Sequence, residues 1–138
     1  MRLGEVGIYE APEPGEGGAN LRRLFRDGVD YLRQEVPDPG LQALLYTALA
    51  IRAQFYFDGN ERTARWMMNG QLMAGGYEPI GIPVTRRKEW NTTLITLFTE
   101  ADATGLMRLL AECQFSRIEE QNRAAGLTFG YPRPTNSP

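Results

Sequence analysis

Apolar residues recur at helical spacing along most of this chain. Leu21, Leu24, Phe25, Val29, Leu32 and Val36 form one such stripe, which predicts a helix with Asn20 as its N-cap. "PDPG" at 37–40 ends that helix and starts a second, with Asp38 as cap and Pro39 in the first turn. Leu41, Leu44, Leu45, Ala48 and Leu49 would be its apolar face. A third helix is expected over residues 61–73, stopped by Gly75-Gly76. The stretch "YEPIGIPV" reads as extended. Thr85 then reads as the cap of a fourth helix carrying Trp90, Leu94, Leu97, Phe98 and Ala101. Asp102 or Thr104 restarts the chain as a fifth, with Leu106, Leu109, Leu110, Cys113 and Ile118 inward and Gly126 at its end. Ahead of these, residues 5–9 read as a short strand, and "APEPGEGG" breaks regular structure. The expected fold is all-α with a small β element in front. One domain is expected over residues 1–126, with core helices over 20–125. Residues 127–138 are too rich in Pro and Gly to expect more than a flexible tail. Leu45, Leu49, Leu72, Met73, Trp90, Leu94, Leu110 and Cys113 are the expected core.

Composition narrows the picture. At 138 residues, 42% hydrophobic and 23% charged, the chain reads as one soluble domain with a real core. A net charge of −2 supplies no field for nucleic acid or membrane. Lys88 is the sole lysine, so the cationic chemistry belongs to arginine, whose planar fork suits phosphate. A single cysteine, Cys113, excludes an internal disulfide and fits a reducing compartment. The expected location is cytoplasmic, and a secreted effector without a cleaved signal would have the same composition. The chain has no histidine, which removes the commonest general base and metal ligand.

One stretch carries chemistry: "QFYFDGNERTAR", residues 54–65. Gly59-Asn60 sits between two helices, where glycine permits a sharp turn and close approach of a ligand. The amides that start the next helix, backed by its dipole, would favour an anion. Arg62 and Arg65 lie three apart, so one helical face can present both. Asp58 could hold Mg²⁺ against the same phosphates. Taken singly, the pieces are an ordinary turn and a solvated helix face. Their order within eight residues is what favours a di- or triphosphate site.

The stretch resembles the signature of Fic (Fido) domains: His, any residue, Phe, any residue, Asp or Glu, Gly-Asn-Gly, Arg, two residues, Arg. Asp58, Gly59, Asn60, Arg62 and Arg65 match it, and Tyr56 stands conservatively for the phenylalanine. "TARWMMNGQLMAGGYEPIGIPV" resembles the following family segment, with its Met-Asn, Ala-Gly-Tyr and Ile-Pro. The run from Trp90 to "LLAEC" is similar to the last helices. "VGIYEAPEP" is similar to the exit of the flap that docks target proteins, which assigns Val6, Gly7, Ile8 and Tyr9 to that flap. The resemblance covers about residues 3–114. It implies a mostly helical domain that transfers AMP, or another phosphate-containing group, from a nucleotide to a protein hydroxyl. The motif histidine would take the proton, the acid would bind Mg²⁺, and the loop amides and arginines would hold the phosphates of ATP or another nucleotide. It also implies a protein target or regulatory partner and allows a homodimer.

Two departures fall on that chemistry. Gln54 occupies the histidine position, and an amide has no basic lone pair near neutral pH. Losing a positioned general base costs about 10²–10⁴ in rate. Glu61 replaces the second glycine. A carboxylate suits a helix start by ~0.3–1 kcal/mol, but against a phosphate at ~4 Å and an effective dielectric near 20 it costs up to about 4 kcal/mol. It could also swing into water or pair with Arg65. Nucleotide binding is therefore expected to be weak. The chain begins at the flap, so the helix that usually precedes it would come from a longer protein or a partner. Ser116 and Glu120 have the spacing of the family's inhibitory motif, but Gln121 stands where glycine or asparagine should follow. Three readings remain. The first is a degenerate Fic domain that binds phosphate with transfer lost or marginal. The second is an active nucleotidyl- or phospho-group transferase with a rewritten motif, using Glu61 as base or a different nucleotide-linked donor. The third is a non-catalytic interaction module. Two separate lesions favour the first.

Overall fold

The computed structural model describes residues 9–126, with the backbone alone over 115–121. Among the described residues it is helical: α1 (Ala19–Glu35), α2 (Pro39–Ala53), α3 (Asn60–Ala74), α4 (Arg87–Glu100) and α5 (Thr104–Ala124). The β element expected at the front lies largely in residues 1–8, outside the described residues, as does the tail 127–138. Tyr9 and Glu10 are described and are not in a strand.

The packing is organised around α2. Asp38 caps it as expected, its Oδ2 accepting the Leu41 amide at 2.7 Å, with Pro39 in the first turn. The helix is buried on nearly every side, through Ala43, Tyr46, Thr47, Ala48, Ala50, Ile51 and Ala53. The expected leucine stripe is therefore not its inner face. Leu41 is exposed, and Leu44, Leu45 and Leu49 are half-buried. Small residues replace them in the centre because neighbouring helices approach closely there. The buried hydroxyl of Thr47 is satisfied by the Ala43 carbonyl, 2.9 Å from its Oγ1. Gly28 serves the same close approach from α1, since a β-carbon there would collide with Leu49.

The remaining helices close around this axis. α3 packs most extensively on α2 and buries Ala64, Met68 and Leu72, four apart in register. Met73 faces solvent instead, one step round the helix from Leu72. α4 contributes Trp90, Leu94, Leu97 and Phe98, and α5 contributes Leu106, Leu109, Leu110 and Cys113. Ala101 is exposed, because the chain turns left-handed there (φ 54°) to end α4. α1 lies outermost and buries only Leu32, with Val36 buried just past its end.

Three helix boundaries bear on the caps. Gly75 and Gly76 stop α3, with Tyr77 N donating back to the Leu72 carbonyl at 2.8 Å. Asn20 does not cap α1. Gly18 holds that position in the left-handed region (φ 77°), and the Asn20 amide donates to the Pro14 carbonyl at 2.9 Å. Thr85 lies inside a 3-10 turn, Val84–Arg86, and α4 begins after it without a side-chain cap.

The segment between α3 and α4 is pinned to the core. Asn69 accepts the Ile80 amide at 2.8 Å and donates to its carbonyl at 3.0 Å. Tyr77 Oη donates to Asp38 Oδ1 at 2.7 Å, tying this segment to the start of α2. The family-like Met-Asn and Gly-Tyr positions are thus structural braces. They fix the connection that leads into α4, whose Trp90 meets Glu61 at the start of α3, where the site lies.

Candidate phosphate site at the start of α3

Residues 54–59 turn the chain from α2 into α3. Gln54 ends α2 in a left-handed conformation (φ 52°, ψ 56°), unusual for a residue with a side chain. Its amide answers that strain: Nε2 donates to the Ile51 carbonyl at 2.5 Å, and Oε1 accepts from Asn60 Nδ2 at 3.2 Å. Asn60 is buried and closes the loop from the other side. It donates to the Tyr56 carbonyl at 2.6 Å and accepts the Tyr56 amide at 2.8 Å. Gly59 makes the last sharp step at φ 72°, and Asp58 Oδ1 accepts its amide at 2.7 Å. The amides of Asn60, Glu61 and Arg62 open α3 and have no partner within the helix.

These elements surround a cavity of about 590 Å³. Asp58, Gly59, Asn60, Glu61, Arg62, Arg65 and Gln54 all line it, so the expected cluster does come together. One cation was missed by sequence reasoning. Arg87, the first residue of α4, lines the same cavity. The sequence hint was the cationic run Arg86-Arg87-Lys88, but it stands on a different helix from the motif. Arg86 is turned elsewhere, to Glu89 and Glu112 at 2.7 and 2.6 Å.

Two side chains behave differently from expectation. Glu61 does not pair with Arg65; its Oε1 accepts the Trp90 indole N–H at 2.7 Å. That bond satisfies a buried donor and holds the carboxylate against α4. Arg65 stacks its guanidinium over the Trp90 ring, 5.6 Å from the centroid. Its Nε is buried and has no hydrogen-bond partner. A buried, unsatisfied guanidinium N–H is costly and is a mark of a missing acceptor. Asp58 is exposed and stands alone as a metal ligand. No group of three or more His, Cys, Asp or Glu gathers among the described residues.

Of the flap, Val6, Gly7 and Ile8 lie outside the described residues. Tyr9 is half-buried, its ring tilted against Phe98 with centroids 4.6 Å apart and its hydroxyl donating to the Arg52 carbonyl at 2.8 Å. It anchors the incoming chain to α2 and α4. The side chains of Ser116 and Glu120 lie outside the described residues.

The sequence aligns with the protein adenylyltransferase Fic of Drosophila willistoni at 33% identity over 112 residues, 78% of this chain. The protein of the same name from Drosophila melanogaster matches equally, at 33% over 112 residues. This chain carries a Fic-like domain. It spans only about a fifth of the relatives' length, 21% and 22% respectively. No protein-family profile matches the chain. The chain has Asp58, Gly59, Asn60, Arg62 and Arg65 in the order of the signature it resembles, with Gln54 and Glu61 at the two positions where it differs. No helix among the described residues is long and apolar enough to cross a membrane.

Proposed function

We propose that this Fic-like domain binds a nucleotide polyphosphate weakly, and that it has lost, or nearly lost, AMP transfer to protein hydroxyls. The observation that carries the binding half is the convergence of Arg62, Arg65 and Arg87 on one cavity at the start of α3. Their guanidiniums suit phosphate oxygens, and the first-turn amides of α3 would bind the same group. Three guanidiniums face two carboxylates, Asp58 and Glu61, so the lining remains net positive. The bond to Trp90 keeps Glu61 at the wall and lessens the repulsion expected of it.

Loss of transfer follows from Gln54. Both ends of its amide are committed to the loop, to Ile51 and to Asn60, and neither can take a proton from a hydroxyl. Of the two carboxylates at the loop, Asp58 would be taken up by the Mg²⁺ ion and the Glu61 Oε1 is engaged by an indole N–H. Mg²⁺ fits the site only in company with phosphates: Asp58 would be its one protein ligand, and the ion would neutralise phosphate charge. The retained role is nucleotide-dependent binding to a protein target or regulatory partner.

Calorimetric titration with Mg-ATP at low salt tests the reading. Binding is expected near millimolar strength, about −4 kcal/mol, and should weaken as salt rises. If neither Mg-ATP nor inorganic phosphate binds, the domain is an interaction module without a nucleotide.

A further inference from the structure

A second recess lies on the other face of the motif loop. It has a volume of about 570 Å³ and is formed by α1 and residues 55–56. Its floor is aromatic. Phe25 meets Phe55 edge-on at 5.6 Å and Tyr46 at 6.4 Å. Phe25 is still 42% exposed and Tyr56 59% exposed, a large unsatisfied apolar surface.

The rim is cationic. Arg22, Arg26 and Arg33 border the recess and Asp30 is its one acid, on a chain whose net charge is −2. Arg26 and Arg33 make no ion pair with any described residue. The positions 22, 26, 29 and 33 share one face of α1, so guanidiniums flank Val29 along the groove.

We propose that this groove docks an acidic segment of a partner protein, with an apolar anchor between its carboxylates. The charge selects this occupant over others. A second copy would set the same arginines against one another in a twofold contact. Residues 127–138 of this chain contain no Asp or Glu, so they offer no complement. An anionic bilayer is met by protruding apolar groups, whereas these line a recess. Because Asn60 grips Tyr56 by its amide and carbonyl, the groove shares the loop that lines the phosphate cavity. The proposal does not depend on that cavity holding a nucleotide.

The test is fluorescence anisotropy with a short fluorescein-labelled peptide in which Leu and Phe anchors are flanked by Glu. A second peptide carries Lys at every Glu. The wild-type chain should bind the Glu peptide, less tightly at high salt, and should not bind the Lys peptide. Arg26→Glu with Arg33→Glu should weaken binding at least about tenfold. Val29→Phe, which fills the recess without changing charge, should weaken it independently; circular dichroism checks that each variant is folded. The proposal is overturned if the Glu peptide does not bind, if both peptides bind alike, or if the folded variants bind as the wild type does. Stronger binding to phosphatidylserine vesicles than to the Glu peptide would also overturn it.

Discussion

The two connections that flank α3 use the same device for opposite ends. Asn60, at the start of α3, grips the amide and carbonyl of Tyr56; Asn69, in its third turn, grips the amide and carbonyl of Ile80. In each case one side-chain amide replaces a missing strand partner and fixes an irregular segment. What differs is the surroundings. Ile80 is buried, at 2% exposure, while Phe57 in the first loop is fully exposed beside a cavity lined by three arginines. The same clamp therefore closes a core at one end and holds a binding loop open at the other. An asparagine within a Fic-like motif is not by itself a ligand contact; its neighbours decide.

Removing each clamp separates the two roles. Asn69→Ala should have the largest effect, since it leaves the Ile80 amide and carbonyl unpaired in the core. Urea denaturation should report a loss of about 2–4 kcal/mol. A loss equal to that of Asn60→Ala would break the comparison. Arg65→Ala leaves the clamps alone and removes the donor that lacks an acceptor. It should weaken Mg-ATP binding by about 1.5–3 kcal/mol, beyond detection if the starting affinity is millimolar. Asn60→Ala should cost about 1 kcal/mol of stability, because water can reach the exposed Tyr56, yet it should weaken Mg-ATP binding clearly.

The smallest effect sharpens the closed end. The Tyr77 hydroxyl, and then the Leu41 amide, hold the Asp38 carboxyl below its usual 3.8. Its contribution to stability is therefore full above that value and is lost as pH falls through the lower folded-state value. Asp38→Asn should lower Tm slightly at neutral pH, and the difference from wild type should shrink in acid. A difference that persists undiminished below the folded-state value would contradict the assignment.

How much of this was legible beforehand follows the range of each interaction. Local chemistry was readable: the Asp38-Pro39 helix start, the Gly75-Gly76 stop, and the order Asp58, Gly59, Asn60, Arg62, Arg65. Interactions across the fold were not. The leucines of α2 looked like its inner face, but a helix buried all round carries little periodicity, and its centre is alanine. Arg87 joins the cavity from α4, across the fold, and no local pattern marks that approach. Glu61 was read through Coulomb repulsion and its possible tie to Arg65, and nothing local points to the Trp90 indole. Gln54 read as a lost base. Only its left-handed backbone and two hydrogen bonds make it a positive feature, a brace that the loop depends on.

That last point changes how a repair should be attempted. Glu61→Gly would orphan the buried Trp90 N–H, at a cost of about 1–3 kcal/mol, whereas Glu61→Gln removes the charge and keeps an acceptor. Histidine at position 54 tolerates the left-handed backbone better than most residues. The direct test of the central claim is therefore transfer of radiolabelled α-phosphate from ATP to protein. It is run on the wild type, Gln54→His, Glu61→Gln and the double variant, each checked for folding. The account predicts a silent wild type, tighter Mg-ATP binding without turnover in Glu61→Gln, and labelling only where histidine is restored, strongest in the double variant. Labelling by the wild type that vanishes in Glu61→Gln would contradict it and make Glu61 the base of a working transferase.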